Sequence, residues 1–381
     1  MAGYPTDSPD EARFRREFRS WLAANVPAEV PHESDAREAA ERAWHRKLAQ
    51  AGYDWLSLPK EYGGQGRPES FEAIFNEELG RSGAPFPLGQ GHLAQALARY
   101  GTEAQKRSEL RSLLEHTKRW CQGFSEPGAG SDLASLSTRA ERFEDADRRT
   151  RYRISGQKIW TSDARYSQMC FLLARSEPDR PKHQGISVFL VPMDLPGIEV
   201  QTIVTAYGSN EFAQVFLDGV VVDAGAMLGA PGQGWEIATF LLGFERGPAD
   251  NGWIARMRRT VGDLEARLRS SDVPRDSSVR LSIARARVEL RALEIQAQRT
   301  LSRRMGGEAP GARGSIDKLL LTRADRAVHR AMLDLMGSEI LAHRSPRLDD
   351  YFWSLSQAIF GGTSQIQRNI VARQVLGMPR R

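Results

Sequence analysis

The sequence predicts an α+β protein in which a helical block, a β block and a second helical block follow one another. Up to residue 119, apolar side chains recur at three- and four-residue steps, which is typical of amphipathic helices. Residues 120–228 contain short apolar or alternating runs separated by glycine and proline, which indicate the strands of a barrel or sandwich. From residue 229 the helical period returns. We therefore expect three domains, 1–119, 120–228 and 229–381.

Length and composition agree with this architecture. A chain of 381 residues is too long for one small domain and suggests two or three. The sequence contains no run of 18 or more apolar residues, so a transmembrane helix is not predicted. The first residues lack the basic and apolar regions of a signal peptide. The two cysteines, Cys121 and Cys170, have no metal-ligand spacing, as expected in a reducing compartment. We therefore predict a cytoplasmic protein without a metal site.

The net charge of +5 would favour nucleic-acid binding if the basic residues were clustered. Instead, the 53 basic residues are matched by 48 acidic ones and are dispersed along helical stretches. We interpret them as a solvated surface and predict neither a nucleic-acid nor a membrane partner.

Individual elements can be predicted within the blocks. In the first block, Phe14, Phe18 and Leu22 share one face of a helix that Pro27 ends. Further helices are predicted at residues 35–51, 70–81, 91–100 and 103–115, and strands at 151–155, 171–174 and 186–191. In the last block we expect helices at 281–305, 324–341 and 364–376 and a polar loop at 270–278.

The segment 360–368, Phe-Gly-Gly-Thr-Ser-Gln-Ile-Gln-Arg, is the first candidate binding site. Its glycine pair permits φ > 0 or a close approach to a ligand, and two hydroxyls, an amide and a guanidinium follow. The same string also suits an ordinary loop that caps the next helix. Local chemistry alone leaves both interpretations open.

Two further motifs lie in the β block. Residues 124–132, Phe-Ser-Glu-Pro-Gly-Ala-Gly-Ser-Asp, can present backbone N–H groups and serine hydroxyls to an anion or a flavin ring. They do not fit the G-x-G-x-x-G pattern of dinucleotide-binding folds. Residues 156–162, Gly-Gln-Lys-Ile-Trp-Thr-Ser, carry a tryptophan, and a lone tryptophan in a strand is more often a core residue.

Together the three motifs resemble those of the acyl-CoA dehydrogenases, in the same order and over essentially the whole chain. The loop at 58–66, with Pro-Lys-Glu-Tyr-Gly-Gly, is similar to a loop in the N-terminal domain of that family. The resemblance implies an N-terminal helical domain, a middle β-barrel, a C-terminal four-helix bundle and bound FAD, with a tryptophan covering the isoalloxazine. The residues that it implies for FAD binding are Phe124, Ser125, Gly130, Ser131, Trp160, Thr161, Ser162, Thr363 and Gln365.

The reaction of the family transfers an α-proton of an acyl thioester to a carboxylate base, while the β-hydrogen leaves as hydride to flavin N5. In many members the base directly precedes the Gly-Thr pair, where this chain has Gly361. In others it lies on the first long helix of the C-terminal domain, a position that Glu245 matches. The resemblance thus implies Glu245 as base, although a solvated glutamate beside an arginine is the alternative. It also implies a donor role for the Gly361 N–H toward the thioester carbonyl, and substrate contacts from Ser131 and Arg246.

Two family motifs that reach the FAD of a neighbouring subunit are not kept. The loop at 270–278 lacks an Arg-x-x-Phe-Gly motif, and a Gln-x-x-Gly-Gly string reads Asp-Leu-Met-Gly-Ser at residues 334–338. This pattern resembles steroid side-chain dehydrogenases, which assemble from two unlike subunits. We therefore expect a homo- or hetero-oligomer with a related chain, an acyl-CoA or acyl-carrier-protein thioester as substrate, and electron transfer to an electron-transfer flavoprotein.

Two other hypotheses stay open at this point. The glycine at 361 and the lost motifs would also suit a non-catalytic or half-site subunit, although such a subunit need not keep its own flavin residues. The second hypothesis is a flavin oxidase or monooxygenase on the same fold, and peroxide release under air would favour it.

Overall fold

The computed structural model describes residues 7–31, 33–86, 90–244, 247–271, 277–308, 311–340 and 346–379. Their secondary structure follows the predicted order of helices, strands and helices. The fold class is therefore confirmed, while the domain boundaries at 119/120 and 228/229 stay predictions.

The first block is helical because its apolar residues fall on single helix faces. Ser8 and Glu11 form a capping box that begins the first helix, each side chain accepting from the backbone N–H of the other residue. Phe18 of this helix is fully buried in one apolar cluster with Trp44 and Leu79 from the next two helices. The helices are α1 (Pro9–Asn25), α2 (Ser34–Gln50), α3 (Glu69–Ser82), α4 (Gly91–Tyr100), α5 (Glu103–Gln105) and α6 (Arg111–Leu114), the last two joined by a π-helical segment, Lys106–Leu110.

The middle block is one mixed sheet. Its strands are β1 (Trp120–Gly123), β2 (Arg139–Glu144), β3 (Thr150–Ser162), β4 (Met169–Arg175), β5 (Ile186–Pro192), β6 (Ile198–Ile203), β7 (Phe212–Asp223) and β8 (Met227–Leu228). Their spatial order is β6-β7-β3-β2-β4-β5-β8, and β1 pairs with β4 in parallel. The predicted closed barrel is corrected to an open sheet, because within the described residues no pairing joins β6 to β8. Strand β8 pairs with β5 at only two residues, which is too short an edge to close a barrel.

Strands β4 and β5 are buried on both faces because their alternate side chains point to different cores. Phe171 and Val188 share a cluster with Leu97 of α4. Their strand neighbours Leu172 and Phe189 belong to a second cluster inside the sheet domain. This double burial explains why these strands are continuously apolar.

The last block is helical and packs against the first. Its helices are α7 (Gly234–Phe244), α8 (Asp250–Arg269), α9 (Ser278–Met305), α10 (Gly314–Met336), α11 (Pro346–Ser356) and α12 (Ser364–Ile370), followed by a π-helical turn, Val371–Val375. Helices α8, α9 and α10 share one core around Leu264, Leu293 and Val328. Helix α3 touches α8 backbone to backbone, since a Cβ placed on Gly80 would lie 2.1 Å from the Gly252 carbonyl oxygen. Among the helices in the described part of the chain, none has the length and apolar character to cross a membrane.

Candidate active site

The structure brings the two motifs of the sheet domain into direct contact. The segment that contains Phe124 and Ser125 follows β1, and its backbone lies beside the end of β3. Ile159 N donates to the Ser125 carbonyl oxygen at 2.9 Å, and Lys158 Nζ donates to the Phe124 carbonyl oxygen at 3.2 Å. Two segments that are more than 30 residues apart in sequence therefore form one local unit.

A buried ion pair lies at the centre of this unit. Lys158 Nζ is 2.8 Å from Glu126 Oε1, and both side chains are almost completely shielded from solvent. Glu126 also accepts from Ser137 N, Ser137 Oγ and Thr138 N at 2.6, 2.8 and 2.9 Å. Burial alone would raise the pKa of Glu126, but Lys158 and these donors lower the pKa to about 2. The carboxylate is therefore ionised and fully hydrogen-bonded.

Trp160 is not a core residue. Its side chain is 58% exposed, and its backbone has φ 59°, a left-handed conformation that is uncommon for a bulky residue. The register between β3 and β7 shifts between Lys158 and Thr161, so Trp160 occupies an irregularity of the ladder. The strand thus turns a large indole outward at a point where a regular ladder would not place it.

The two residues after this tryptophan point to different sides. Ser162 is exposed, whereas Thr161 is buried and its Oγ1 has no hydrogen-bond partner in the described structure. Because side chains alternate along a strand, the Thr161 hydroxyl faces the interior of the sheet domain.

The glycine-rich loop borders open space. A Cβ placed on Gly128 or on Gly130 would meet nothing within 4 Å. Gly130 and Ser131 are exposed, and Ser125 is half-buried beside them in the same loop. The loop therefore offers hydroxyl and backbone groups to a molecule in that space.

A chain of aromatic rings links the sheet motifs to the C-terminal motif. Trp160 meets Phe212 edge to face at 6.2 Å between centroids, and Phe212 stacks on Trp353 of α11 at 6.5 Å. Trp353 in turn lies 5.2 Å from Phe360, which directly precedes Gly361. All three sequence motifs therefore lie in one region of the molecule.

The C-terminal motif forms a tight turn before α12. Gly361 and Gly362 have φ 60° and 89°, so both use the left-handed freedom of glycine. Thr363 is the N-cap of α12, and its Oγ1 accepts from Ile366 N at 3.2 Å. The capping interpretation is therefore correct for Thr363, whose hydroxyl hydrogen is still available to a ligand. Gln365 is exposed.

Three polar side chains that support this site were not predicted from the sequence. Besides Lys158, Lys318 of α10 is buried and donates from Nζ to the Gln357 carbonyl oxygen and Oε1 at 2.7 and 3.0 Å. Its Nζ lies 4.5 Å from the centroid of the Phe360 ring, a cation–π contact. Gln367 is the third, because it donates from Nε2 to the Gly361 carbonyl oxygen at 2.9 Å. Lys318 lies before the predicted helix at 324–341, because α10 begins earlier, at Gly314, than the sequence indicated.

Glu245 and Arg246 lie outside the described residues, but their neighbours are fixed. Residues 247–249 are not helical, and α8 begins at Asp250. Gly247 has φ 110° and its N–H donates to Asp250 Oδ2 at 3.2 Å. The guanidinium of Arg304 lies 5.6 Å from the Phe244 ring centroid, and Glu69 holds it through two 2.6 Å hydrogen bonds.

An outward-facing tryptophan beside a glycine-serine loop, connected by stacked rings to a glycine turn, suits a planar, polar cofactor. Together with the three-block α+β fold, this arrangement defines the class of protein as a flavin-dependent dehydrogenase.

Comparison with known proteins agrees with this class. Models of the acyl-CoA dehydrogenase N-terminal, middle and C-terminal domains match residues 8–117, 121–220 and 232–376. Acyl-CoA dehydrogenase IpdE1 of Mycobacterium tuberculosis is 38% identical, with 97% of this chain and 98% of the relative covered. Among solved structures, the Tcur3481-Tcur3483 steroid ACAD superposes with a TM-score of 0.85 at 30% identity, covering 99% of both chains. The ChsE4-ChsE5 complex from Mycobacterium tuberculosis superposes with a TM-score of 0.84 at 29% identity, again over 99% of both chains.

The chain therefore belongs to the acyl-CoA dehydrogenase family. It is an acyl-CoA dehydrogenase, a flavoprotein oxidoreductase that desaturates acyl thioesters.

Proposed function

We propose that this chain binds FAD non-covalently and desaturates a bulky or branched acyl-CoA between its α and β carbons. The observation that supports this most strongly is the exposed, left-handed Trp160, whose neighbour Ile159 is hydrogen-bonded to Ser125 of the glycine loop. An indole of this size is rarely left in solvent unless a ligand covers it. The residues that would hold FAD are Phe124, Ser125, Gly130, Ser131, Trp160, the backbone of Thr161, Ser162, Thr363 and Gln365.

Each of these groups has a chemical role toward a flavin. The indole offers a flat apolar surface, and the serine hydroxyls and loop N–H groups can bind ring or phosphate oxygens. Thr363 and Gln365 can add a hydroxyl and an amide from the C-terminal turn. When bound, the flavin would accept the β-hydrogen as hydride.

For the protein's own part in the reaction, we propose Glu245 as the base that takes the α-proton. The backbone directly after Glu245 and Arg246 supports this role, because residues 247–249 interrupt the helical path before α8 begins. The N–H of Gly361 would donate to the thioester carbonyl oxygen and stabilise the charge that develops there. Ser131 and Arg246 would contact the substrate.

The size of the acyl group is inferred from the same glycine. In many family members the base occupies the position of Gly361, and a glycine there leaves the volume of that side chain empty. A branched or polycyclic acyl group could fill this volume. Solved relatives include one described as a steroid ACAD, which favours a bulky acyl group here as well.

We further propose that the chain assembles with a related, unlike chain. The position at which the family supplies a glutamine to a neighbouring subunit is Asp334, and its carboxylate is already engaged inside this chain. It accepts from Ser282 Oγ and from Arg330 Nε, each at 2.8 Å. One structural relative, the ChsE4-ChsE5 complex, is itself made of two differently named chains. An electron-transfer flavoprotein as acceptor and a cytoplasmic location stay predictions.

The direct test is to purify the chain alone and with candidate partner chains, record the flavin spectrum, and add acyl-CoA thioesters without oxygen. Bleaching of the flavin band by a bulky thioester is the expected result. An assembly that binds no flavin after incubation with FAD would contradict the proposal. Stoichiometric peroxide in air would instead favour an oxidase.

A further inference from the structure

The buried ion pair between Glu126 and Lys158 has no role in the proposed chemistry, yet it lies where both flavin motifs meet. A buried ion pair often contributes little to stability compared with apolar residues of the same shape. Its presence inside a sheet domain with two apolar cores therefore calls for a reason other than stability.

Three hydrogen bonds of this pair hold backbone groups at the two ends of the segment 124–138. The Nζ atom of Lys158 donates to the Phe124 carbonyl oxygen as well as to the Glu126 carboxylate. The carboxylate in turn accepts from the backbone N–H groups of Ser137 and Thr138, which lie on the far side of the glycine loop. The pair thus fixes the start and the end of the 124–138 segment to β3.

Lys158 of this pair lies two residues before Trp160, the tryptophan with the left-handed backbone. A left-handed conformation is costly for a residue other than glycine, and it persists only where the surroundings enforce it. Upstream of Trp160, the backbone is held by Lys158 and by the Ile159 N–H. Downstream, Thr161 is paired with Ala213 in the β3–β7 ladder. Trp160 lies between two fixed points and takes up the irregularity of the strand.

We propose that Glu126 and Lys158 are positioning residues for the flavin, which set the distance between the glycine loop and the Trp160 indole. The proposal rests on the FAD site described above. It follows that neither residue touches the cofactor, and that loss of the pair lets the strand relax and the indole move away from the ring.

The test uses the holoenzyme in its native assembly and two variants of the pair. Lys158→Met removes the charge and keeps the length of the side chain, whereas the double variant Glu126→Gln with Lys158→Met leaves no unpaired buried charge. Trp160→Ala serves as a reference for the absorption spectrum of a flavin without its indole cover. The matched control is Lys182→Met, because Lys182 forms an exposed ion pair with Asp132 in the same loop, at 2.8 Å.

Four quantities are measured for each protein: the flavin absorption spectrum, the rate of FAD loss after dilution, the rate of flavin reduction by substrate, and the melting temperature. We expect both pair variants to shift the flavin band in the direction seen for Trp160→Ala, although their tryptophan is intact. FAD should dissociate at least tenfold faster, and flavin reduction by substrate should slow by about 10²-fold, as expected for a misplacement near 1 Å. The control should keep the wild-type spectrum and rate of FAD loss.

The outcomes separate this inference from the proposed function. Wild-type protein that binds no FAD would contradict the FAD site itself. A folded double variant with the wild-type spectrum and FAD retention would contradict only the positioning role. If neither pair variant folds, the pair is a determinant of the fold, and the positioning role is equally rejected.

Discussion

The side-chain amide of Gln367 donates to the carbonyl oxygen of Gly361, so the glycine turn is held from within its own motif. The amide lies so close to the turn that a Cβ on Gly362 would be 2.4 Å from Gln367 Nε2. Because φ is 89° at this residue, a side chain would be strained even without the clash. Both glycines are therefore required by their left-handed φ, and at Gly362 the flexible end of Gln367 would also have to move.

Gly362→Ala should lower the free energy of unfolding by about 1–3 kcal/mol, since it adds the left-handed strain to the clash. Gly361→Glu, which restores the commoner position of the base, should lose about 1–2 kcal/mol because φ there is 60°. Urea denaturation measures both. The control is Gly262→Ala in the exposed interior of α8, where a Cβ meets nothing within 4 Å and a gain of up to about 1 kcal/mol is expected. A neutral Gly362→Ala would show that the turn adapts.

The order of the blocks could be predicted from the sequence because apolar residues recur every three to four positions in helices, whereas strands show alternation or short apolar runs. The open edges of the sheet could not, since β8 has only two residues and its pairing depends on the position of β5. Within the site, the outward direction of Trp160 was implied only by the family resemblance and could not be predicted from the strand pattern. That direction depends on an irregularity in the pairing of β3 with β7, whereas alternation in the sequence predicts a regular strand.

The supporting residues escaped prediction for a related reason. Gln367 bonds the carbonyl oxygen of Gly361, whereas Lys318 bonds that of Gln357 and contacts the Phe360 ring before the turn. Such contacts depend on tertiary packing rather than on spacing in the sequence. The role of Glu245 as the base stays a prediction from the sequence.

Glu245→Gln should slow reduction of the flavin by substrate about 10²–10⁴-fold, because a positioned general base contributes about that much. FAD content should be unchanged, since no flavin contact is assigned to this side chain. Anaerobic stopped-flow mixing with a good thioester measures the rate. Glu236→Gln makes the same chemical change in the first turn of α7, and flavin reduction in this variant should be normal. Rapid reduction in Glu245→Gln would direct attention to another carboxylate.

Glu211 should make stability depend on pH in the neutral range. Its carboxylate lies beside Tyr207 and Ser209, whose hydroxyls donate to it at 3.3 and 3.2 Å, and the Asp163 backbone binds its carbonyl oxygen. Burial, followed by the charge of Asp163, raises the pKa of Glu211 from 4.5 to about 7. Between these values the folded state binds more protons than the unfolded state, so stability falls as the pH rises.

Glu211→Gln removes this titration. The wild type should lose about 1–3 kcal/mol relative to the variant between pH 5 and pH 8, as a pKa shift of this size implies. Urea denaturation at several pH values measures the difference. Glu199→Gln, an exposed glutamate on the neighbouring strand β6, should keep the wild-type slope. Equal slopes for the wild type and Glu211→Gln would place the folded pKa of Glu211 near its ordinary value.

The last prediction concerns assembly: the chain should form a stable, flavin-loaded particle only with an unlike chain of the same family. In a symmetric homodimer, the two-fold axis imposes each missing contact on both sites at once. Here Asp334 is bound within its own chain by Ser282 and Arg330, so it has no free group to offer a neighbour's flavin. An unlike partner could supply what this chain lacks and leave one complete site per pair. Co-expression with a related dehydrogenase chain, followed by native mass and flavin quantification, should give fewer than one FAD per chain. If the chain purified alone is an active oligomer with one FAD in every copy, the partner is unnecessary and position 334 carries no information about assembly.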